Sequence, residues 1–330
     1  MDSRKLRQAA SMTFLALALL GGAVYVYFHR DRFGVILDVP LAAAVALLAG
    51  GVLFRSLEGV FLRMVVIRLG GEMDVPESQM LAWATGYWNL LPAKPGTGAL
   101  AIYLKHRHGL PYSGFLAYLL TMNVLRMVVD ATLGLLASLP LCLWSGLTPV
   151  LPVAFGAVLA GCVVIIYLPT GWRYTGDNRV LRAIANTGRA WQRMRRMRGL
   201  LWRIGLLRFG CGFAAALAML VSFRAVGVGA GYLQAVAAME LSAFSRFATL
   251  VPAQLGVREA LTGLAAMGFG FAFSDGVVAA ALRRAVVMPV ILLLGPLASW
   301  RLHRRGGVKA GRPTEPGGPT EQDVIEDLRT

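Results

Sequence analysis

Arg126 and Asp130 stand four residues apart in an apolar stretch, so on a helix they share one face. Arg283 and Arg284 are adjacent in a second apolar stretch. Neighbours on a helix point to different faces, so at least one of the two turns toward the protein interior. Glu240, Arg258 and Glu259 lie in the segment just before that pair. Guanidinium groups hold phosphate through two parallel hydrogen bonds, and an ion inside a membrane is costly enough to turn toward a partner or a cavity. The chemistry on offer is anion binding, with Glu240 and Glu259 as partners for the arginines. For Arg126 and Asp130 two readings stay open: a phosphate contact oriented by the carboxylate, or a structural ion pair.

These residues surround a repeated helix break. Pro92-Ala93-Lys94-Pro95-Gly96 and Pro252-Ala253-Gln254-Leu255-Gly256 share a Pro-Ala-x-x-Gly pattern, each inside a hydrophobic stretch. An echo follows each copy: Leu125-Arg126 with Val128-Val129, then Leu282-Arg283 with Val286-Val287. Paired Pro/Gly breaks in corresponding membrane segments point to a transporter-type binding site. Half-helix N-termini at Gly96–Ala99 and Gly256–Arg258 are expected to offer backbone N–H donors to an anion. Lys94 adds a positive charge in the first break, or else snorkels to the interface.

Composition sets the medium. Of 330 residues, 57% are hydrophobic and 15% charged, against about 25% charged in soluble domains. Such a chain cannot cover a soluble core, and it reads as an integral membrane protein. Its net charge of +16 then marks cytoplasmic loops and anionic headgroups rather than nucleic acid. Cys142, Cys162 and Cys211 lie in apolar stretches and read as buried thiols. His106 and His108 are one residue apart and are not expected to seat a metal on a helix. No nucleophile triad, metal-ligand spacing, P-loop or dinucleotide fingerprint stands out, so no cofactor is expected.

Hydropathy places spans at Ala9–Phe28, about Ile36 to Phe54, Gly109–Trp144, about Pro149 to Leu168, about Leu206 to Val221 and Phe273–Trp300. Arg55 to Asp74 reads as a helix extension or an interfacial helix. Pro76 to Lys105 and Leu233 to Phe271 each carry a break and read as re-entrant hairpins. Residues 169–203 hold nine arginines and one aspartate, and 179–203 reads as a basic amphipathic helix lying on anionic lipid. Residues 306–330 read as a disordered cytoplasmic tail. The expected fold is an all-α polytopic membrane protein of about six full spans plus two re-entrant helical hairpins, or eight spans. It forms a single domain over 1–305, with halves at roughly 36–168 and 200–300 and a basic linker at 169–203. With both termini cytoplasmic, basic residues sort inward, and the hairpins then enter from opposite sides as an inverted repeat.

The run from Asn89 through Pro92, Lys94, Gly96 and Gly98 to Lys105, followed by Arg107-His108-Gly109-Leu110, resembles a signature of the lysylphosphatidylglycerol synthase transmembrane-region family, also called flippase-like. So does Val251-Pro252-Ala253-Gln254-Leu255-Gly256-Val257-Arg258-Glu259-Ala260. The resemblance covers roughly residues 10–305. It implies an inner-membrane protein that moves, or helps to move, an anionic, aminoacylated or glycosylated lipid between leaflets. Pro92, Gly96, Gly98, Lys105, Pro252, Gly256, Arg258 and Glu259 carry over as motif residues. Ala253 and Gln254 stand where the family commonly has glycines. The soluble aminoacyl-transfer domain of the synthase members is expected to be absent, and with it synthase activity.

Two other readings remain. The chain could be a membrane-embedded transferase using Asp130, Glu240 or Glu259 as a base. It could equally be an accessory partner of enzymes that make envelope lipids or lipid-linked glycans. The expected substrate-site set is Lys94, Gly96, Gly98, Lys105, Arg126, Asp130, Glu240, Arg258, Glu259, Arg283 and Arg284, with helix breaks at Pro92, Pro95, Pro252 and Gly256.

Overall fold

The structure, a computed structural model, describes residues 27, 34–36, 38–91, 95–145, 149–167, 179–247 and 254–306. The expected first span at Ala9–Phe28 lies outside this set except for Tyr27. Pro92, Lys94, Pro252 and the tail after Gly306 lie outside it as well.

The described chain is helical, without strands. In order come α1 (Leu41–Arg68), α2 (Val75–Trp88), α3 (Pro95–His108), α4 (Tyr112–Ser145), α5 (Val150–Tyr167), α6 (Arg179–Arg196), α7 (Arg198–Ala225), α8 (Tyr232–Ala243), a 3-10 turn (Phe244–Phe247), α9 (Val257–Gly268) and α10 (Phe273–Gly306). Five of them, α1, α4, α5, α7 and α10, are long and apolar enough to cross a membrane. The chain is a multi-span helical membrane protein.

Arg55 to Arg68 proves to be the continuation of α1, an unbroken helix of 28 residues. Arg55 and Glu58 therefore sit within a helix long and apolar enough to cross a membrane, as the helix-extension reading has it. The chain then turns at Gly70, where φ is +87°. Asp74 starts α2 by accepting the Glu77 backbone N–H at 3.2 Å, with Pro76 in the first turn, where its missing N–H costs nothing.

The two broken segments are antiparallel helical hairpins. Arms α2 and α3 have 14 residues each, and α8 and α9 have 12. At 1.5 Å per residue the longer arms reach about 21 Å, short of a hydrocarbon core of about 30 Å. The base of the first hairpin is pinned by Glu77, near the start of α2. Its carboxylate accepts from Tyr103 Oη at 2.5 Å and lies 3.2 Å from His108 Nε2, near the end of α3. In the second hairpin, Ala235 and Ala238 pack in one cluster with Ala265 and Ala266. Ser245 donates to Gln254 Oε1 across the break at 2.9 Å. Gly270 adopts a left-handed φ of +83°, and Phe271 N–H closes back on the Ala266 carbonyl, a helix ending that favours glycine.

An order of lengths recurs along the chain. A 28-residue helix, two short arms and a 34-residue helix make up α1 to α4, and the same sequence of elements makes up α7 to α10. Packing is exchanged between the halves. Helix α10 packs on α2, the first arm of the first hairpin, and α4 packs on α8, the first arm of the second. Helices α1 and α7 meet each other, and each also packs on the first arm of its own half. One core cluster gathers Leu62, Leu81, Leu104, Phe115, Ile291 and Leu302 around the first hairpin. A second gathers Met219, Phe223, Ala235, Ala265 and Ala279 around the other.

Helix α6 packs along α4, and its Ala185, Ala190 and Trp191 are buried against protein. These three side chains are covered by the fold.

The closest approach of α10 to α2 is at Gly295. A Cβ built there collides with the Cβ of Tyr87, and beside it Trp88 Nε1 donates to Ser299 Oγ at 3.1 Å. Gly295→Ala must push the two helices apart and should cost about 1–3 kcal/mol, read by chemical denaturation in detergent micelles. Gly98→Ala meets open space within α3 and should be neutral or gain up to about 1 kcal/mol.

Candidate functional site

Both hairpin breaks reach one internal cavity of about 350 Å³. Asn89 and Leu90 line it from the first break, and Ser245, Arg246 and Gln254 from the second. Helices α1, α4, α7 and α10 and the hairpin arms α2, α8 and α9 supply the rest of the wall. Among the described residues seven arginines line this cavity: Arg55, Arg126, Arg208, Arg246, Arg258, Arg283 and Arg284.

Carboxylates hold some of them in place. Glu58 lies 2.6 Å from Arg55 Nη1 and 3.1 Å from Arg126 Nη2, so one carboxylate of α1 ties its own helix to α4. Gly86 makes room for this cluster, since a Cβ there would stand 2.8 Å from Arg55 Cζ. Asp130 of α4 pairs with Arg246 Nη2 at 2.5 Å and has Glu240 of α8 beside it. Glu259 pairs with Arg284 Nε at 2.9 Å. Arg55–Glu58 lies within α1, whereas Glu58–Arg126, Asp130–Arg246 and Glu259–Arg284 each join two elements, and the last two fix the second hairpin against α4 and α10.

Three arginines are held differently. Arg208, in mid-α7, is 5% exposed. Its guanidinium lies over the rings of Phe54 and Phe61, at 5.4 and 5.5 Å from their centroids, and Nη1 has no hydrogen-bond partner among the described residues. Arg283 Nη1 rests against the Met239 sulphur. Arg258 makes no ion pair within 4 Å among the described residues, and it sits close enough to Arg283 and Arg284 for their charges to interact. Charge in this site is therefore unbalanced. Seven guanidiniums stand against the four carboxyl groups of Glu58, Asp130, Glu240 and Glu259, two of which (Asp130 and Glu240) hydrogen-bond each other, so the formal excess is at least three positive charges.

Of the residues singled out from sequence, Arg126, Asp130, Glu240, Arg258, Arg283 and Arg284 line this cavity, and Glu259 reaches it through Arg284. Lys94 lies outside the described residues, as do Pro92 and Pro252. Pro95 starts α3. Lys105 is away from the cavity, with Nζ 4.4 Å from the Tyr112 ring centroid. Gly96 is buried and lines a second, more apolar cavity of about 800 Å³ on the other face of α2, together with Thr85, Trp88, Tyr103 and Trp300. Gly98 lines neither cavity.

The expected backbone donors at the two breaks are partly taken. Thr97 N–H is capped by Asn89 Oδ1 at 3.2 Å, and Gly256 N–H by Glu259 Oε2 at 2.9 Å. Side chains of the protein occupy those positions, which leaves the arginines as the main donors around the cavity. Gln254 stands where glycine is common in the family signature, and it takes a left-handed φ of +57°. Its carbonyl accepts from Arg284 Nη2 at 3.5 Å. Its side chain also accepts from Ser245 Oγ.

Arg55, Glu58, Arg208 and Arg246 were not in the expected set. A signal existed for the first two, whose i, i+3 spacing in an apolar run suits an ion pair. Arg208 also had one, as the one arginine in the apolar run from Leu206 to Val221. No group of three metal-ligating side chains occurs among the described residues, and His108 serves Glu77 at the hairpin base.

Glu58→Gln leaves Arg55 and Arg126 facing each other with no carboxylate between them. Breaking such a buried pair should cost about 3 kcal/mol, measured by denaturation in micelles, with Glu58→Asp losing less.

Residues 14–295 match the family described as Lysylphosphatidylglycerol synthase TM region, and no curated protein matches the chain. The match spans both hairpins and every helix that lines the arginine cavity, and by it the chain belongs to the lysylphosphatidylglycerol synthase transmembrane-region family, membrane proteins tied to lipid metabolism or translocation.

Proposed function

We propose that this protein moves an anionic lipid between the two leaflets, with the headgroup held in the arginine cavity. The observation that carries this reading is the meeting of both hairpin breaks at a site with three uncompensated positive charges. A cation excess within a membrane is costly unless an anion balances it, and a phosphate accepts bidentate hydrogen bonds from guanidinium. The carboxylates Asp130 and Glu259 each hold an arginine, which suits positioning of charge.

The exchange of packing between α1–α4 and α7–α10 supports an inverted repeat with two re-entrant hairpins. Alternating access then proceeds by rocking of the halves about the cavity. In this reading the protein sits in the inner membrane with both termini cytoplasmic, because the arginine-rich 179–203 stretch faces inward. A membrane-impermeant thiol reagent applied to spheroplasts should label Gly229→Cys, in the turn after α7, and spare Arg189→Cys on α6. Both tests use a background lacking Cys142, Cys162 and Cys211. Labelling of Arg189→Cys alone would reverse the orientation.

Transport is tested in proteoliposomes carrying a fluorescent anionic phospholipid. Leaflet exchange should fall at least about tenfold in Arg258→Ala and Arg283→Ala, equivalent to about 1.4 kcal/mol of lost headgroup binding. A zwitterionic analogue should exchange slowly with the unaltered protein. Exchange that is unchanged in both variants would remove this site from the account.

A further inference from the structure

We infer that the cavity selects a phosphoryl headgroup carrying at least two negative charges, a diphosphate or a terminal phosphate monoester, over a singly charged phosphodiester. The inference rests on the transport reading above and sharpens its substrate class.

The charge distribution carries it. Arg55 and Arg126 share Glu58, Arg246 has Asp130, and Arg284 has Glu259. Glu240 alone is left for Arg208, Arg258 and Arg283. A phosphodiester supplies one negative charge, which leaves two guanidiniums uncompensated in a buried site. A diphosphate supplies enough charge and enough oxygens for bidentate contacts with two or three guanidiniums at once.

Arg208 is the second, independent observation. It is 5% exposed, it lines the cavity, and its Nη1 lacks a hydrogen-bond partner among the described residues. Arg284 Nη1 is in the same state. These buried guanidinium nitrogens without partners, on α7 and α10, leave two donors of the cavity's lining residues for the acceptor oxygens of a ligand. One tetrahedral phosphate with two oxygens esterified has two free acceptors to offer. A diphosphate is longer and has more. A lysyl-esterified headgroup, by contrast, brings an ammonium among guanidiniums that already repel one another.

The full chain in nanodiscs of phosphatidylcholine separates these cases. The probes are dimethyl phosphate, methyl phosphate, inorganic pyrophosphate and lysine methyl ester, with affinity read by calorimetry at pH 8. Pyrophosphate should bind at least about tenfold more tightly than dimethyl phosphate, with no binding of lysine methyl ester. Methyl phosphate distinguishes the two sources: affinity equal to pyrophosphate assigns a terminal phosphate, and affinity between the other two assigns a diphosphate. Arg283→Gln should narrow the gap between pyrophosphate and dimethyl phosphate. Arg208→Lys, which keeps the charge and loses the fork, should do so too, and either variant suffices if the other fails to fold. Equal affinities for pyrophosphate and dimethyl phosphate would overturn the inference. So would pyrophosphate binding that neither substitution alters. If Arg283-dependent exchange of a singly charged phospholipid persists in that event, transport stands and only the two-charge selectivity falls. Selective pyrophosphate binding without lipid exchange does the reverse.

Discussion

The structure is organised around positive charge that has been placed inside a membrane protein and only partly neutralised. Water would screen such charge, but a spanning bundle offers little water, so each guanidinium must be matched by a carboxylate, an aromatic face or a ligand. Glu58, Asp130 and Glu259 do the matching by joining α1 to α4, α4 to the second hairpin and α9 to α10. Arg208 leans on Phe54 and Phe61. The arginines left over are the basis of the proposed headgroup site.

The same constraint explains why the chain is broken where it is. A helix that ran on through residues 89–94 or 248–256 would carry its backbone past the cavity fully hydrogen-bonded to itself. The breaks instead bring Asn89, Ser245 and Gln254 to the cavity wall. Irregular backbone at such depth survives only when protein or a cavity covers it. Here α10 covers the first hairpin and α4 helps cover the second, each long helix serving the hairpin of the other half. The first arm of each hairpin is thus held by packing from the opposite half.

Much of this was legible in the sequence because breaks and intramembrane ions are local signals. Pro and Gly in an apolar run mark the hairpins, and Arg126, Asp130, Glu240, Arg258, Arg283 and Arg284 announce themselves by charge in apolar surroundings. Arg55 to Asp74 read as a helix extension or an interfacial helix because Arg63 and Arg68 follow Arg55, and the unbroken course of α1 to Arg68 decides for the extension. Arg208 was passed over because nothing near it in sequence pairs with it; its partners are the rings of α1. The capping of Gly256 by Glu259 and of Thr97 by Asn89 was likewise hidden, since it depends on side-chain direction at a turn. Lys105 shows the converse. A motif residue with the right charge sits over Tyr112, away from the cavity, because α3 carries it toward the hairpin base.

The central claim is that a lipid headgroup enters the space between the hairpin tips. A photo-crosslinking amino acid at Met288, on the cavity wall, tests it directly in vesicles containing one part anionic to nine parts zwitterionic lipid. The account predicts a crosslinked lipid pool strongly enriched in the anionic species, while the same probe at the exposed Leu143 reports the bulk ratio. Crosslinks at Met288 that match the bulk ratio, or that involve no lipid at all, would contradict it.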